Sequence, residues 1–259
     1  MLRFSKMTTA PFACLLYHTK RPFATVCRQN PSIDKFGVID IILLMKAKAC
    51  IFDFDGVIVD SEKYHHIAWE QIAIDLGVPF SYQEYAPLKS AGRQVVIPYL
   101  FKKANKQLTP QLFEYYVKLR GEKIAEAIKQ VSEKDIIPGV VQFVHLLKQN
   151  GIPCAVASAS TQASETAKRF GLYNLFDAFV DGNARLPHKP APDIFLHAAS
   201  LLNANPTTCV VFEDSIYGLM AAQNAQMRIV GVATHFSDIA DKIIDDFVGA
   251  DLTLLEFED

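Results

Sequence analysis

The chain has 259 residues, half of them hydrophobic, and a formal net charge of −2. That length supports one sizeable core plus a smaller domain. The near-balanced charge excludes a global attraction to nucleic acid or an anionic membrane, and no basic stripe with interleaved aromatics supplies a local one.

Residues 1–44 differ from the rest. Up to Pro31 the segment carries Arg3, Lys6, Lys20, Arg21 and Arg28 and no acid. That composition fits a transit peptide. It also fits an extension ahead of a true start at Met45, or a structural arm. The apolar runs at 11–17 and 37–44 are too short to cross a membrane.

Residues 47–54 read as a buried strand, because hydrophobic side chains run up to and between Asp53 and Asp55 and Gly56 then breaks the pattern. Regular strand geometry points both carboxylates to one face. A helix follows, with Tyr64, Ile67, Ala68, Ile72 and Leu76 at helical spacing, and Asp60 is the expected N-cap. No strand is expected before residue 133. A second helix over 111–131 begins behind Thr109-Pro110.

Pro138-Gly139 marks a return to alternating strands and helices. Helices are expected at 140–149, 161–170, 194–202 and 216–224. Strands are expected at 154–157, 178–180, 209–212 and 228–232, with a last edge strand at 252–255. Alternation of this kind predicts an α/β fold with a mostly parallel sheet. The segments divide as an extension (1–44), an α/β core (45–60 plus 134–259) and a helical insertion (61–133). Cys14, Cys27, Cys50, Cys154 and Cys209 show no CxxC spacing. Reduced thiols in a cytosol-like compartment are expected, rather than a disulfide framework or a zinc site.

A parallel sheet gathers the carboxyl ends of its strands on one rim, where ligands bind. The strands end in Asp53 and Asp55, in Ser158, near Lys189, and in Glu213-Asp214. A core tolerates clustered carboxylates only when a cation or hydrogen bonds meet them. The oxygen set suits Mg²⁺, and the lysine and hydroxyl supply donors to phosphoryl oxygens. With a metal present, Asp53 could attack phosphorus while Asp55 gives or takes a proton.

These motifs resemble the haloacid dehalogenase superfamily, in its β-phosphoglucomutase-like branch with a small helical cap. The resemblance rests on Asp53-Phe54-Asp55-Gly56-Val57 with Asp60-Ser61-Glu62, on Ser158, on Lys189-Pro190, and on Glu213-Asp214-Ser215 with Gly218. It implies a Rossmann-like core of mostly parallel strands. Asp53 would become an aspartyl phosphate, and Asp55 would be the general acid/base. Ser158 and Lys189 would hold the phosphoryl group. Asp53, Asp55, Glu213 and Asp214 would bind Mg²⁺, with Asp55 using its carbonyl and Glu213 acting directly or through water.

In the cap, His65 and Trp69 match a mutase pattern, and Arg93 falls in a loop that holds a distal phosphate. Arg120 aligns loosely with a cap lysine. Ser90 and Gly92 depart from that loop, and Thr161-Gln162 replaces an expected lysine-asparagine pair. His145, His197 and His235 have no constellation around them. The resulting expectation is a phosphatase of a small phosphorylated metabolite, such as a sugar phosphate. It would be a cytoplasmic monomer with no nucleic-acid or membrane partner. The alternatives are a β-phosphoglucomutase and a non-catalytic phosphometabolite-binding protein.

Overall fold

A computed structural model describes residues 45–89 and 91–257. The expectations for residues 1–44, including Cys14 and Cys27, and for Ser90 lie outside the described residues. The main sheet has six strands, all parallel: β2 (Ala49–Phe52), β3 (Cys154–Ala157), β4 (Ala178–Val180), β5 (Cys209–Glu213), β6 (Arg228–Val232) and β7 (Lys242–Ile244). Their spatial order is β4-β3-β2-β5-β6-β7. The chain runs outward from β2 on one side, then crosses back to place β5 on the other. That reversal opens a crevice between the ends of β2 and β5, the usual ligand site of an open parallel sheet.

Both sheet faces are covered, so the central strands are apolar along their whole length. Residue parity sorts the side chains. Cys50, Phe52, Cys154, Val156, Val210 and Phe212 face one cluster, shared with helices α5 (Val140–Gln149) and α6 (Ala163–Arg169). Ala49, Ile51, Ala155, Ala157, Cys209 and Val211 face the other, shared with α7 (Asp193–Leu201) and α8 (Ile216–Asn224). Phe52 and Phe212 are paired in register and their rings stack at 4.6 Å.

Between β2 and α5 stand α1 (Glu62–Leu76), α2 (Tyr82–Tyr85), α3 (Arg93–Lys103) and α4 (Pro110–Ala127). They share their own core of Trp69, Ile72, Leu100, Phe101 and Tyr116 among others. Helix α4 starts as its sequence directs, with the Thr109 hydroxyl accepting from Leu112 N–H and Pro110 in the first turn. The two connections to the sheet domain run side by side: Asp60 N–H donates to Asp135 C=O at 2.7 Å and Ile137 N–H to Ile58 C=O at 2.9 Å.

Two expectations need correction. Residues 252–255 form a 3₁₀ turn and not a strand, because Asp251 accepts from the backbone and hydroxyl of Thr253. The terminal strand is β8 (Glu256–Phe257), antiparallel to β1 (Met45–Lys46) in a separate two-stranded sheet. Asp60 is not the N-cap of α1: Ser61 holds that position, and its hydroxyl is turned elsewhere. No described helix is long and apolar enough to cross a membrane.

Truncating Phe52 removes the ring at the centre of this stack. Phe52→Ala should cost about 3–5 kcal/mol, read as a lowered denaturation midpoint in urea. A loss below about 1 kcal/mol would contradict the packing described.

Candidate active site

Strand β2 stops at Phe52, so Asp53 and Asp55 lie on the loop beyond it and both line one cleft. Asp53 is tied to the neighbouring strand through its N–H and Phe212 C=O at 2.9 Å. Gly56 has φ +88°, and a Cβ there would sit 2.4 Å from Asp214 Oδ2. The loop therefore needs glycine both for its backbone and for room beside the acid. Gly218 serves Glu213 in the same way, since its Cβ would overlap the Glu213 carboxyl.

Lys189 is fully buried and bridges two strand ends. Its Nζ donates to Asp53 Oδ1 at 2.6 Å and to Glu213 Oε2 at 2.7 Å. The other oxygen of Glu213 accepts from the Ser215 hydroxyl and backbone N–H. Burial alone would depress the lysine, but Asp53 and Glu213 more than reverse it and keep it charged. Burial pushes the Asp53 carboxyl up, and Glu213, Asp55 and Asp214 add to this against the pull of Lys189. Asp214 is likewise raised by burial and by Glu62 and Glu213, against Lys89.

That imbalance is a test of fit for a cation. One oxygen each from Asp53, Glu213 and Asp214 lies within 4.8 Å of the others. Asp214 Oδ1 is buried with no hydrogen-bond partner. Three converging hard oxygens, one of them unpaired, in a net-acidic pocket fit a divalent cation such as Mg²⁺. Most of the acceptor capacity of Glu213 is already spent, which leaves Asp53 and Asp214 as the freer ligands.

Asp55 is arranged differently. Its Oδ1 accepts from the Ser61 hydroxyl and from His65 Nε2 at 3.2 Å, and its Oδ2 from Ser158 Oγ at 3.3 Å. Burial would raise this carboxyl, yet the His65 interaction and the three hydrogen bonds hold it below the usual range. Arg120 Nη2 donates to His65 Nδ1 at 2.9 Å. A guanidinium can only donate, so the imidazole proton sits on Nε2, facing Asp55. Arg120 also lies 5.0 Å over the Trp69 ring. Ser61, at the helix N-cap, thus serves the acid rather than the helix.

All ten residues expected from the sequence converge here. Asp53, Asp55, His65, Trp69, Arg93 and Arg120 line the cleft. Ser158, Lys189, Glu213 and Asp214 are buried beneath it, bonded as described. Among described residues, no ion pair or hydrogen bond engages the Arg93 side chain, whereas Arg120 gives Nη2 to His65 and keeps a buried Nε with no partner. Nothing in the sequence points to Tyr85 or His188, and Lys89, in the cap loop before Arg93, and Glu62 have no role assigned from it. Lys89 Nζ reaches Asp214 Oδ2 at 3.1 Å. Glu62 is buried and accepts from Tyr85 Oη at 2.7 Å. His188 meets Gln94 across the cleft mouth at 3.1 Å. Glu62, next to Ser61, and Lys89, in the cap loop before Arg93, carried a positional signal; Tyr85 and His188 are brought in by the fold.

Comparisons agree with this geometry. A family model for haloacid dehalogenase-like hydrolases matches residues 47–226. The chain is 33% identical over 187 residues to the β-phosphoglucomutase of Bacillus subtilis, covering 71% of this chain and 83% of that protein. It is also 33% identical over 188 residues to hexitol phosphatase B of Escherichia coli, covering 71% and 82%. The crystal structure of β-phosphoglucomutase from Clostridium difficile superposes with a TM-score of 0.74 at 28% identity, over 80% of this chain and 95% of that one.

A proton on Asp53 or Asp214 blocks a ligand oxygen, so Mg²⁺ affinity should weaken as pH falls through the raised range of these two carboxyls. Calorimetry at a series of pH values, in buffers of different ionisation enthalpy, should show protons released on Mg²⁺ binding. Binding with no proton release and no pH dependence would contradict the assignment.

Proposed function

The chain belongs to the haloacid dehalogenase-like hydrolases, and we propose that it is a Mg²⁺-dependent phosphatase of small phosphorylated metabolites, with sugar phosphates as the substrate class. Within that family it falls in the branch of β-phosphoglucomutases and phosphatases with a helical cap. Its acidic cluster and fold are those of a phosphoric-monoester-hydrolase-type enzyme. Helices α1 to α4 would act as the cap, with residues 58–61 and 131–137 as its connections.

The observation that carries the reading is the pairing of Asp53 with Lys189 beside a second, separately held carboxylate, Asp55. Asp53 is the nucleophile: its oxygen attacks phosphorus, the ester oxygen leaves, and an aspartyl phosphate forms. Lys189 offsets the charge of the nucleophile and of the transferred group. Ser158 shares its hydroxyl between Asp55 and the phosphoryl oxygens. Asp55 is held as the carboxylate here, so it takes up a proton as substrate enters, delivers it to the leaving oxygen, and then takes one from the water that attacks the aspartyl phosphate. His65, fixed by Arg120, sets the position and basicity of Asp55. A divalent cation held by Asp53, Asp214 and the Asp55 carbonyl, with Glu213 behind, would offset repulsion between nucleophile and substrate.

Arg93 supports a phosphatase over a mutase. A mutase must hold a bisphosphate by both ends, yet the Arg and Lys side chains lining the cleft are Arg93 and Arg120, and Nη2 of Arg120 is already bonded to His65. Thr161, also on the wall, is neutral. Arg93 would instead steer one anionic or hydroxyl-rich substrate. The Asp55–His65–Arg120 chain favours the second reading, β-phosphoglucomutase, because it links the cap to the acid/base group. The residues named come from one chain, so a monomer suffices.

Phosphorus NMR of the protein with Mg²⁺ and a panel of sugar phosphates separates the readings. The panel includes β-glucose 1-phosphate with a trace of glucose 1,6-bisphosphate. The expected product is free phosphate, lost on chelation of Mg²⁺ and reduced at least about 10³-fold in Asp53→Asn. Conversion to glucose 6-phosphate without phosphate release would establish the mutase instead.

A further inference from the structure

The Asp214 carboxylate is offered to two cations. Lys89 stands on the turn between α2 and α3, just after the 3₁₀ segment Ala86–Leu88. It reaches across to the end of β5, where its ammonium lies 3.1 Å from Asp214 Oδ2. The lysine side chain is 22% exposed and the aspartate 4%, so the contact is largely removed from water. Asp214 Oδ1, on the same carboxyl, has no partner. The rest of the neighbourhood is acidic: Glu62 on α1, and Asp53 and Glu213, whose charge Lys189 already shares.

We propose that Lys89 is a positioning residue that acts as the internal counter-cation of Asp214 and yields that oxygen when a divalent cation binds, so that metal occupancy sets where the cap loop rests. The inference rests on Asp214 being a metal ligand. The physical basis is simple. Two cations cannot both crowd one carboxylate without repulsion, and an unpaired buried carboxylate is costly. Lys89 therefore stabilises the metal-free chain and competes with the metal. Because Lys89 belongs to the helical block and Asp214 to the sheet domain, exchanging one cation for the other releases a tether between them. The freed ammonium then lies four residues before Arg93, which opens α3 and lines the cleft.

The test uses the full chain and MgCl₂ alone, with no substrate. Calorimetry gives the Mg²⁺ affinity of wild type, Lys89→Met, Lys89→Arg and Asp214→Asn. Fluorescence of Trp69, the single tryptophan, reports on the cap in the same titration. Lys89→Met should bind Mg²⁺ about tenfold more tightly, and its metal-free spectrum should resemble that of Mg²⁺-loaded wild type. Lys89→Arg should stay close to wild type in both. If Asp214→Asn loses Mg²⁺ binding while Lys89→Met binds no more tightly than wild type, the competition does not exist. If Asp214→Asn binds as well as wild type, the metal reading itself fails and the inference falls with it. Should Lys89→Met not fold, hydrogen exchange of residues 86–89 in wild type decides: faster exchange on adding Mg²⁺ is expected, and unchanged exchange would overturn the proposal.

Discussion

One buried ammonium organises this molecule. Lys189 joins Asp53, 136 residues away in the chain, to Glu213, 24 residues away. These carboxyls end or follow neighbouring strands whose register sets Phe52 beside Phe212. Parallel pairing therefore forces two acids together in a space closed to water. Without a cation between them, each would face a desolvation penalty of several kcal/mol and the repulsion of the other. With it, the sheet can close at this end. The Phe195 ring, 4.9 Å from the same ammonium, adds an aromatic face.

From that arrangement the division of labour between the two motif aspartates follows. Asp53 shares a proton field with Lys189, Glu213 and Asp214, and its carboxyl is pushed up until further positive charge arrives. Asp55, two residues on, is handed three donors and is held down. Two carboxylates of one short loop are thus separated in basicity by what surrounds them; a cation beside Asp53 would bring it down to a nucleophilic carboxylate, and a donor withdrawn from Asp55 would raise it towards an acid. The donors of Asp55 come from both parts of the fold: Ser158 follows β3, Ser61 begins α1, and His65 lies within α1. A shift of the helical block would change the basicity of Asp55. Arg169, on α6, binds the backbone carbonyls of Ile128 and Val131 and so fixes the returning connection on the sheet side.

Much of this was legible in the sequence for a physical reason. Strands buried on both faces must be apolar throughout, so 47–54, 154–157 and 209–212 stood out, and polar residues at their ends marked the rim. The edge strand β7 is partly exposed and carries Lys242, so its pattern is weak. Helix α3 contains Pro98, which blurs its boundaries. Residues 252–255 looked like a strand because three leucines outweigh the Asp251 turn. At the site, the residues that follow strands were readable from position alone. Of the helical block, His65, Trp69, Arg93 and Arg120 were readable, but Tyr85, at the end of α2, and Lys89, on the turn after it, were given no role, and packing brings them to Glu62 and Asp214. Arg120 was read as a loose match to a cap lysine; its bond to His65 was not readable, because how α4 packs on α1 sets it.

The central claim is that Lys189 makes Asp53 a usable nucleophile. Acid quenching of a single turnover with a ³²P-labelled aryl phosphate, followed by peptide mapping, tests it directly. The account predicts label on the peptide containing Asp53 in wild type, reduced at least about 10²-fold in Lys189→Met when that variant retains its far-ultraviolet circular dichroism. Label on another residue, or equal labelling of Asp53 in the folded Lys189→Met chain, would contradict it.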